Sequence, residues 1–194
     1  MNLANAKSDL RAKIRAALAR VSPAVRAVES LDLCGRLKLQ MRSARAVLFF
    51  APLLDEPDVW PLLEEFVAAG KIAALPFFDA EKKTYGARQV SHPAAIHPGK
   101  FGVREPAASC AEILLNRFDL VLVPGTAFDL QGHRLGRGLG FYDRLLENTS
   151  GIKCGVCLDL QVVEKIPIEP HDAKVDFIFT PSRCVKAGKD FSQN

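Results

Sequence analysis

The chain has 194 residues, 48% of them hydrophobic and 25% charged, enough for one sizeable core and ordinary for a globular protein. Its 26 basic and 22 acidic residues leave a net charge of +4, an excess that suits an anionic small molecule and is too thin for the dense basic stripe of a nucleic-acid binder. No apolar run approaches the ~20 residues of a membrane span, and the N-terminal residues lack the uninterrupted apolar core of a signal peptide, so neither a membrane nor nucleic acid is an expected partner and the cytoplasm is the expected compartment.

Residues 3–20 place Leu10, Ile14, Ala17 and Leu18 on one helical face and Lys7, Arg11 and Arg15 in a neighbouring row, so Lys7 and Arg11 can act on one target. Asp9 and this early start argue against a mitochondrial leader. Ser22-Pro23, a hydroxyl cap followed by proline, opens a second helix that runs to about Gln40. Ala46–Phe50 reads as a short strand ended by Pro52, Asp58 to about Ala69 as a helix stopped by Gly70, and Ile72–Phe78 and Thr84–Val90 as strands. Segment 91–106, rich in Pro and Gly and holding His92 and His97, reads as a surface loop of functional length.

A short helix around Ser109–Asn116 is expected next, then the strand Asp119–Val123, a glycine-rich loop and a helix from about Gly140 to Glu147. The strand Ile152–Leu158, a turn or short helix near Leu160–Glu164 and the strand Val175–Thr180 complete the pattern, and residues from about 186 to 194 are expected to fray. Strands alternating with helices predict a single α/β domain over residues 1–194: a three-layer sandwich with a largely parallel central sheet, helices on both faces and Rossmann-like topology. In such sheets ligands sit beyond the carboxyl ends of the strands, where the glycine-rich loop begins. The five cysteines, Cys34, Cys110, Cys154, Cys157 and Cys184, form an odd, scattered set that favours reduced thiols. Cys154 and Cys157 match C-x-x-C, but residues three apart on a strand face opposite sides, so two core thiols are expected there rather than a metal or redox pair.

Residues 132–144 read GHRLGRGLGFYDR, with Gly136, Gly138 and Gly140 at alternate positions. Glycines allow backbone angles that turn several N–H groups toward one anion, Arg134 and Arg137 add positive charge, and a helix starting near Gly140 adds the positive end of its dipole. The stretch reads as a polyphosphate cradle, although G-x-G-x-G is neither the dinucleotide fingerprint nor a Walker loop, and tight turns alone also explain such glycines. Phe141 and Tyr142 suit either stacking on a flat ring or packing beneath the helix, and Asp143 suits either a metal or the cap of its own helix.

Pro124-Gly125 through Phe128-Asp129 to Arg134-Leu135-Gly136-Arg137-Gly138-Leu139-Gly140-Phe141-Tyr142-Asp143 resembles the signature P-G-x-x-F-D-x-x-G-x-R-L-G-x-G-x-G-Y-Y-D of the 5-formyltetrahydrofolate cyclo-ligases. Lys7-x-x-Leu10-Arg11, Asp55-Glu56, Phe101 to Pro106, Ile166-Pro167 to His171-Asp172, and Val175-Asp176 are similar to further family motifs in the same order, so the resemblance extends over nearly the whole chain. It implies cyclisation of 5-formyltetrahydrofolate to 5,10-methenyltetrahydrofolate with ATP as co-substrate and Mg²⁺, in a monomer or weak homodimer whose partners are the folate and ATP. Lys7, Arg11 and the run Arg134, Leu135, Gly136, Arg137, Gly138, Leu139, Gly140, Phe141 and Tyr142 would bind ATP; Ala51, Glu56, Arg137 and Phe141 would bind the folate; Arg137 and Tyr142 would be catalytic; Asp143 and Asp172 would hold the metal. The chain departs from the family at Leu139, where Gly or Lys is common, and at Phe141, where Tyr is common; a missing hydroxyl removes a bond typically worth ~0.5–1.5 kcal/mol.

Two other readings compete. A non-catalytic relative would keep the nucleotide or folate pocket without turnover. An α/β enzyme for phosphorylated sugars or acyl carriers would need an acid/base pair such as His133 with Asp129, whereas the expectation for His133 is an exposed loop position.

Overall fold

The computed structural model describes residues 2–99, 102–170 and 172–188. Helix α1 spans Leu3–Leu18 and α2 spans Pro23–Gln40, the latter opened as expected by the Ser22 hydroxyl, which accepts a hydrogen bond from the Val25 N–H. Helices α3 (Trp60–Ala68) and α4 (Phe141–Leu146) follow. The strands are β1 (Ala46–Leu48), β2 (Ile72–Asp79), β3 (Thr84–Gln89), β4 (Ile96–Pro98), β5 (Arg104–Pro106), β6 (Glu112–Ile113), β7 (Leu120–Pro124), β8 (Ala127–Asp129), β9 (Arg134–Leu135), β10 (Ile152–Val156), β11 (Val162–Val163), β12 (Phe177–Phe179) and β13 (Cys184–Lys186).

Five strands form the parallel centre of an eight-stranded sheet, in the order β12-β10-β7-β1-β2, with Val47 paired to both Ala73 and Leu120. Antiparallel strands close its ends, β13 beside β12 at one side and β3 then β6 beside β2 at the other. Side chains alternate across the sheet as a pleated strand requires. Leu122, Cys154 and Val156 face the layer of α2 and α3, where they pack with Leu37, Leu63 and Phe66. Val121, Val123 and Ile178 face the other layer, where Leu145 and Leu146 of α4, Phe128 and Cys157 lie. Cys154 and Cys157 thus sit in different layers, both as free thiols. The expected α/β sandwich with helices on both faces is present, and α1 makes a separate cluster, with Ile14 and Leu18 on Ala127, Leu135 and Ile166 beside the small sheet β11-β8-β9.

Three expectations fail. Segment 91–106 contains a 3₁₀ turn at Pro93–Ala95 and the hairpin β4-β5, in which Ile96 pairs with Pro106 and His97 with Glu105; prolines inside such short edge strands hide them from a pattern search. Helix around Ser109–Asn116 is replaced by β6, which pairs Ile113 with Ala87, and a 3₁₀ turn at Leu115–Arg117, so adding an edge strand to the sheet overrides helical periodicity. The expected fraying at 186 begins too early: Lys186 pairs with Phe177, and the N–H groups of Ala187 and Gly188 bond Asp176 and Leu130 carbonyls. Residues 189–194 of that expected tail lie outside the described residues, as do Phe101 and His171 of the motifs quoted above.

The chain runs from β1 through α3 to β2 on one side, while β7 lies on the other side of β1. Connections therefore diverge between β1 and β7, and a crevice opens beyond their carboxyl ends, the place where open α/β sheets take ligands. Among the described residues no helix is long and apolar enough to cross a membrane.

Candidate active site

A cleft of about 510 Å³ opens at this divergence. Phe50, Ala51, Leu53 and Glu56 reach it from the segment after β1, Pro124 and Gly125 from the end of β7, and Lys7 and Arg11 from α1. The glycine-rich loop and the first turn of α4 form a wall, and Glu169 and Asp172 another. Every residue to which the family resemblance gave a site role lines this cleft, whereas His133 and Asp129 of the competing reading do not.

The Arg137 guanidinium holds two acids. Its Nε and Nη2 donate to Glu56 Oε1 at 3.2 and 3.1 Å, and Nη2 donates to Asp55 Oδ1 at 2.5 Å. Glu56 is 8% exposed, and its other oxygen accepts from Leu53 N at 3.0 Å. Burial pushes the Glu56 carboxyl above its ordinary range, outweighing the Leu53 N–H and the Arg137 charge that pull it down. Burial acts to lower the Arg137 pKa, yet the bond to Asp55 and the two carboxylate charges together raise it, so the group stays cationic.

Lys7, also in the cleft, is buried, and its Nζ lies 2.7 Å from both Glu169 Oε2 and Asp172 Oδ2. Burial alone would lower its pKa, but the two carboxylates raise it. Arg11 Nε donates to the Gly136 carbonyl at 2.8 Å, so in this structure Lys7 and Arg11 share the cleft but not a partner. Arg134 was expected to offer its charge to the loop; instead it is buried, with Nη2 donating to Asp143 Oδ1 at 2.7 Å and the guanidinium 5.7 Å from the Tyr142 ring centre. Arg137 likewise faces acids rather than the glycine loop.

Gly138 has φ +101° and Gly140 φ +63°, backbone conformations that a side chain would strain, as the cradle reading requires. The helix that Gly140 opens is only Phe141–Leu146, less than two turns, so its dipole adds little to the loop. Leu135 anchors the loop in the α1 cluster, while the Leu139 side chain is 67% exposed and its carbonyl accepts from Arg144 Nη2. Phe141 stacks on Tyr85 with ring centres 4.0 Å apart, and Tyr85 on Phe78 at 5.0 Å. Burial, with Glu56 nearby, pushes the Tyr142 hydroxyl well above its ordinary pKa and keeps it neutral.

The metal expectation rests on Asp143 and Asp172. Asp143 uses Oδ1 for both Arg134 and the Ala173 N–H at 3.4 Å, which brings it beside the Asp172 segment. Among the described residues no three His, Cys, Asp or Glu side chains cluster as a ready-made metal site. Two carboxylates on the cationic side of a cleft fit magnesium, which takes few protein oxygens and completes its shell with phosphate and water.

His133 was expected to be exposed. Its side chain is 15% exposed, and Nδ1 lies 3.0 Å from Asp129 Oδ2, but neither residue lines the cleft. Asp129 also accepts from the backbone N–H groups of Gln131, His133 and Ile166, so the pair braces the β8-β9 turn against the following segment. Sequence reasoning missed Glu169, Tyr85 and Arg144. Tyr85 had a signal in its place opposite Phe78 across a hairpin, whereas Glu169 meets Lys7 from 162 positions away and has none.

The profile of the 5-formyltetrahydrofolate cyclo-ligase family matches residues 3–181. The chain belongs to that family. A 5-formyltetrahydrofolate cyclo-ligase of Mycolicibacterium smegmatis is 33% identical over 93% of this chain and 96% of its own length, and that of Escherichia coli K12 is 34% identical over 72% and 80%. The solved 5,10-methenyltetrahydrofolate synthetase of Aquifex aeolicus superposes with a TM-score of 0.85 at 32% identity, covering 97% of this chain and 96% of that one. The Mycoplasma pneumoniae synthetase, at 18% identity and a TM-score of 0.73 over 90% and 98%, shares the fold. The fold that carries the cleft is therefore shared with solved members of the family.

Proposed function

We propose that this chain catalyses the ATP- and magnesium-dependent closure of 5-formyltetrahydrofolate to 5,10-methenyltetrahydrofolate, releasing ADP and phosphate. The observation that carries the reading is one cleft that brings together a buried carboxylate, Glu56, and the Lys7, Arg11 and Asp172 group, in a chain of this family. Glu56 accepts from the ring N–H and amino donors of the folate's pterin, bonds that a carboxylate makes strongly. Ala51 and Phe141 pack against the folate. Lys7, Arg11 and the loop from Arg134 to Tyr142 bind the nucleotide.

The formyl oxygen attacks the γ-phosphorus, the bond to the β-bridging oxygen breaks and ADP leaves. The N5 lone pair shifts to give an iminium phosphate, N10 adds to the activated carbon and loses its proton, and the C–O bond breaks to release phosphate. Phosphoryl transfer of this kind depends on alignment and charge neutralisation, here by Lys7, Arg11, Arg137 and the N–H groups around Gly138 and Gly140. Asp143 and Asp172 would hold magnesium, which would neutralise phosphate charge when bound. Tyr142, neutral and partly buried, offers a hydroxyl but no base. Five free thiols agree with a reducing compartment, and we place the reaction in the cytoplasm.

The test is near-UV absorbance of purified protein with 5-formyltetrahydrofolate, ATP and magnesium, beside mixtures lacking ATP or metal and beside Arg137→Ala. The methenyl product's absorbance should grow only in the complete wild-type mixture. Nucleotide binding with a flat trace would replace the reading with that of a non-catalytic relative.

A further inference from the structure

Lys7 is a buried cation of the cleft, and both of its described contacts are carboxylates, at 2.7 Å. The two are not equivalent. Asp172 is 13% exposed and its Oδ2 also accepts the Glu169 N–H at 2.7 Å, so backbone and ammonium fix it together. Glu169 is 42% exposed and meets Lys7 from the cleft wall through Oε2. Glu169 is thus the more solvent-exposed of the two carboxylates that a phosphate oxygen arriving at Lys7 has to compete with.

Resting on the nucleotide reading above, we infer that Glu169 is a resident competitor for phosphate on Lys7, and that it makes the cleft discriminate metal-complexed from metal-free nucleotide. Uncomplexed ATP must displace one carboxylate and then lie against two of them with its full negative charge. Complexed ATP brings a cation that lowers its own charge and offsets that of the displaced carboxylate, so Glu169 opposes it far less. Arg134 cannot substitute for Lys7 in this role, because its guanidinium is buried against Asp143. Glu169 is thus a specificity-determining residue, distinct from the Asp172 and Asp143 pair.

The test is calorimetric titration of the whole chain with a non-hydrolysable ATP analogue, once with magnesium and once with EDTA, for wild type, Glu169→Gln and Glu169→Asp. Wild type should bind the analogue in magnesium and more weakly in EDTA. Glu169→Gln, which keeps shape and loses charge, should raise the EDTA affinity roughly two- to fivefold, the factor that a half-exposed charge pair is worth, and change the magnesium affinity less. Glu169→Asp should retain the wild-type gap. An EDTA affinity in Glu169→Gln that is unchanged or lower, with circular dichroism and wild-type-like magnesium binding showing an intact fold, overturns the inference and leaves the function standing. No binding by wild type even in magnesium overturns the nucleotide reading, and this inference with it.

Discussion

Replacing Arg137 by Ala strips Glu56 of two bonds, at 3.2 and 3.1 Å, and leaves it only the Leu53 N–H at 3.0 Å. Removing one partner of a fully buried ion pair costs about 3–5 kcal/mol, but the Arg137 side chain is 36% exposed, so water reaches the orphaned oxygen and a loss of about 2 kcal/mol is expected. Glu56→Gln keeps an acceptor and should cost about 1 kcal/mol. In the double variant no charge is orphaned; the expected loss is about 1.5 kcal/mol rather than the sum, a coupling of about 1.5 kcal/mol. The pH dependence has a definite sign. Burial holds Glu56 above 4.5, so the native state binds its proton more tightly than the unfolded chain and this group's contribution falls as pH rises through that window. Without Arg137 the native value climbs further, so the Arg137→Ala deficit should grow as pH rises above 4.5. Urea melts of the four proteins across that range measure it. Losses that simply add, or a deficit that shrinks with rising pH, would refute the assignment of Arg137 as the partner that pulls the Glu56 pKa down.

Asp129→Asn should cost about 3 kcal/mol in urea melts, because the buried carboxylate accepts from the Gln131, His133 and Ile166 N–H groups; His133→Ala should cost less than about 1 kcal/mol since those bonds survive. Gly138→Ala should weaken nucleotide binding through strain of about 1–3 kcal/mol at φ +101°, whereas Gly35→Ala, helical with open space around it, should raise stability by about 0.5–1 kcal/mol. Asp119 takes the Ala46 and Arg45 N–H groups, which hold its pKa below 3.8. Its contribution is therefore present above 3.8 and lost as pH falls through the native value, so the deficit of Asp119→Asn should be largest near neutrality and vanish in acid melts.

Much of this was legible in the residues. Ser22-Pro23 marks a helix start because capping is local chemistry, and the apolar runs that became β7 and β10 read as strands because both faces are buried. The glycine-rich loop was found because positive φ demands glycine at Gly138 and Gly140. What stayed hidden depends on distant partners. A row of Lys7 and Arg11 says that two cations share a face, but not that one meets Glu169 and Asp172 and the other a carbonyl. Arg134 in a glycine-rich loop looks available to an anion until the fold sets it against Asp143. Strand β6 is two residues long and takes its conformation from β3, so no periodicity reports it.

The thiols of Cys154 and Cys157 lie on opposite faces of the sheet, and burial raises the pKa of both. Their sulfurs make a pair of built-in reporters, one for the packing of each helical layer. A thiol reagent supplied to variants that keep only one of the two would time the exposure of each layer separately, and equal labelling rates would mean that the sheet loses both coverings in a single opening.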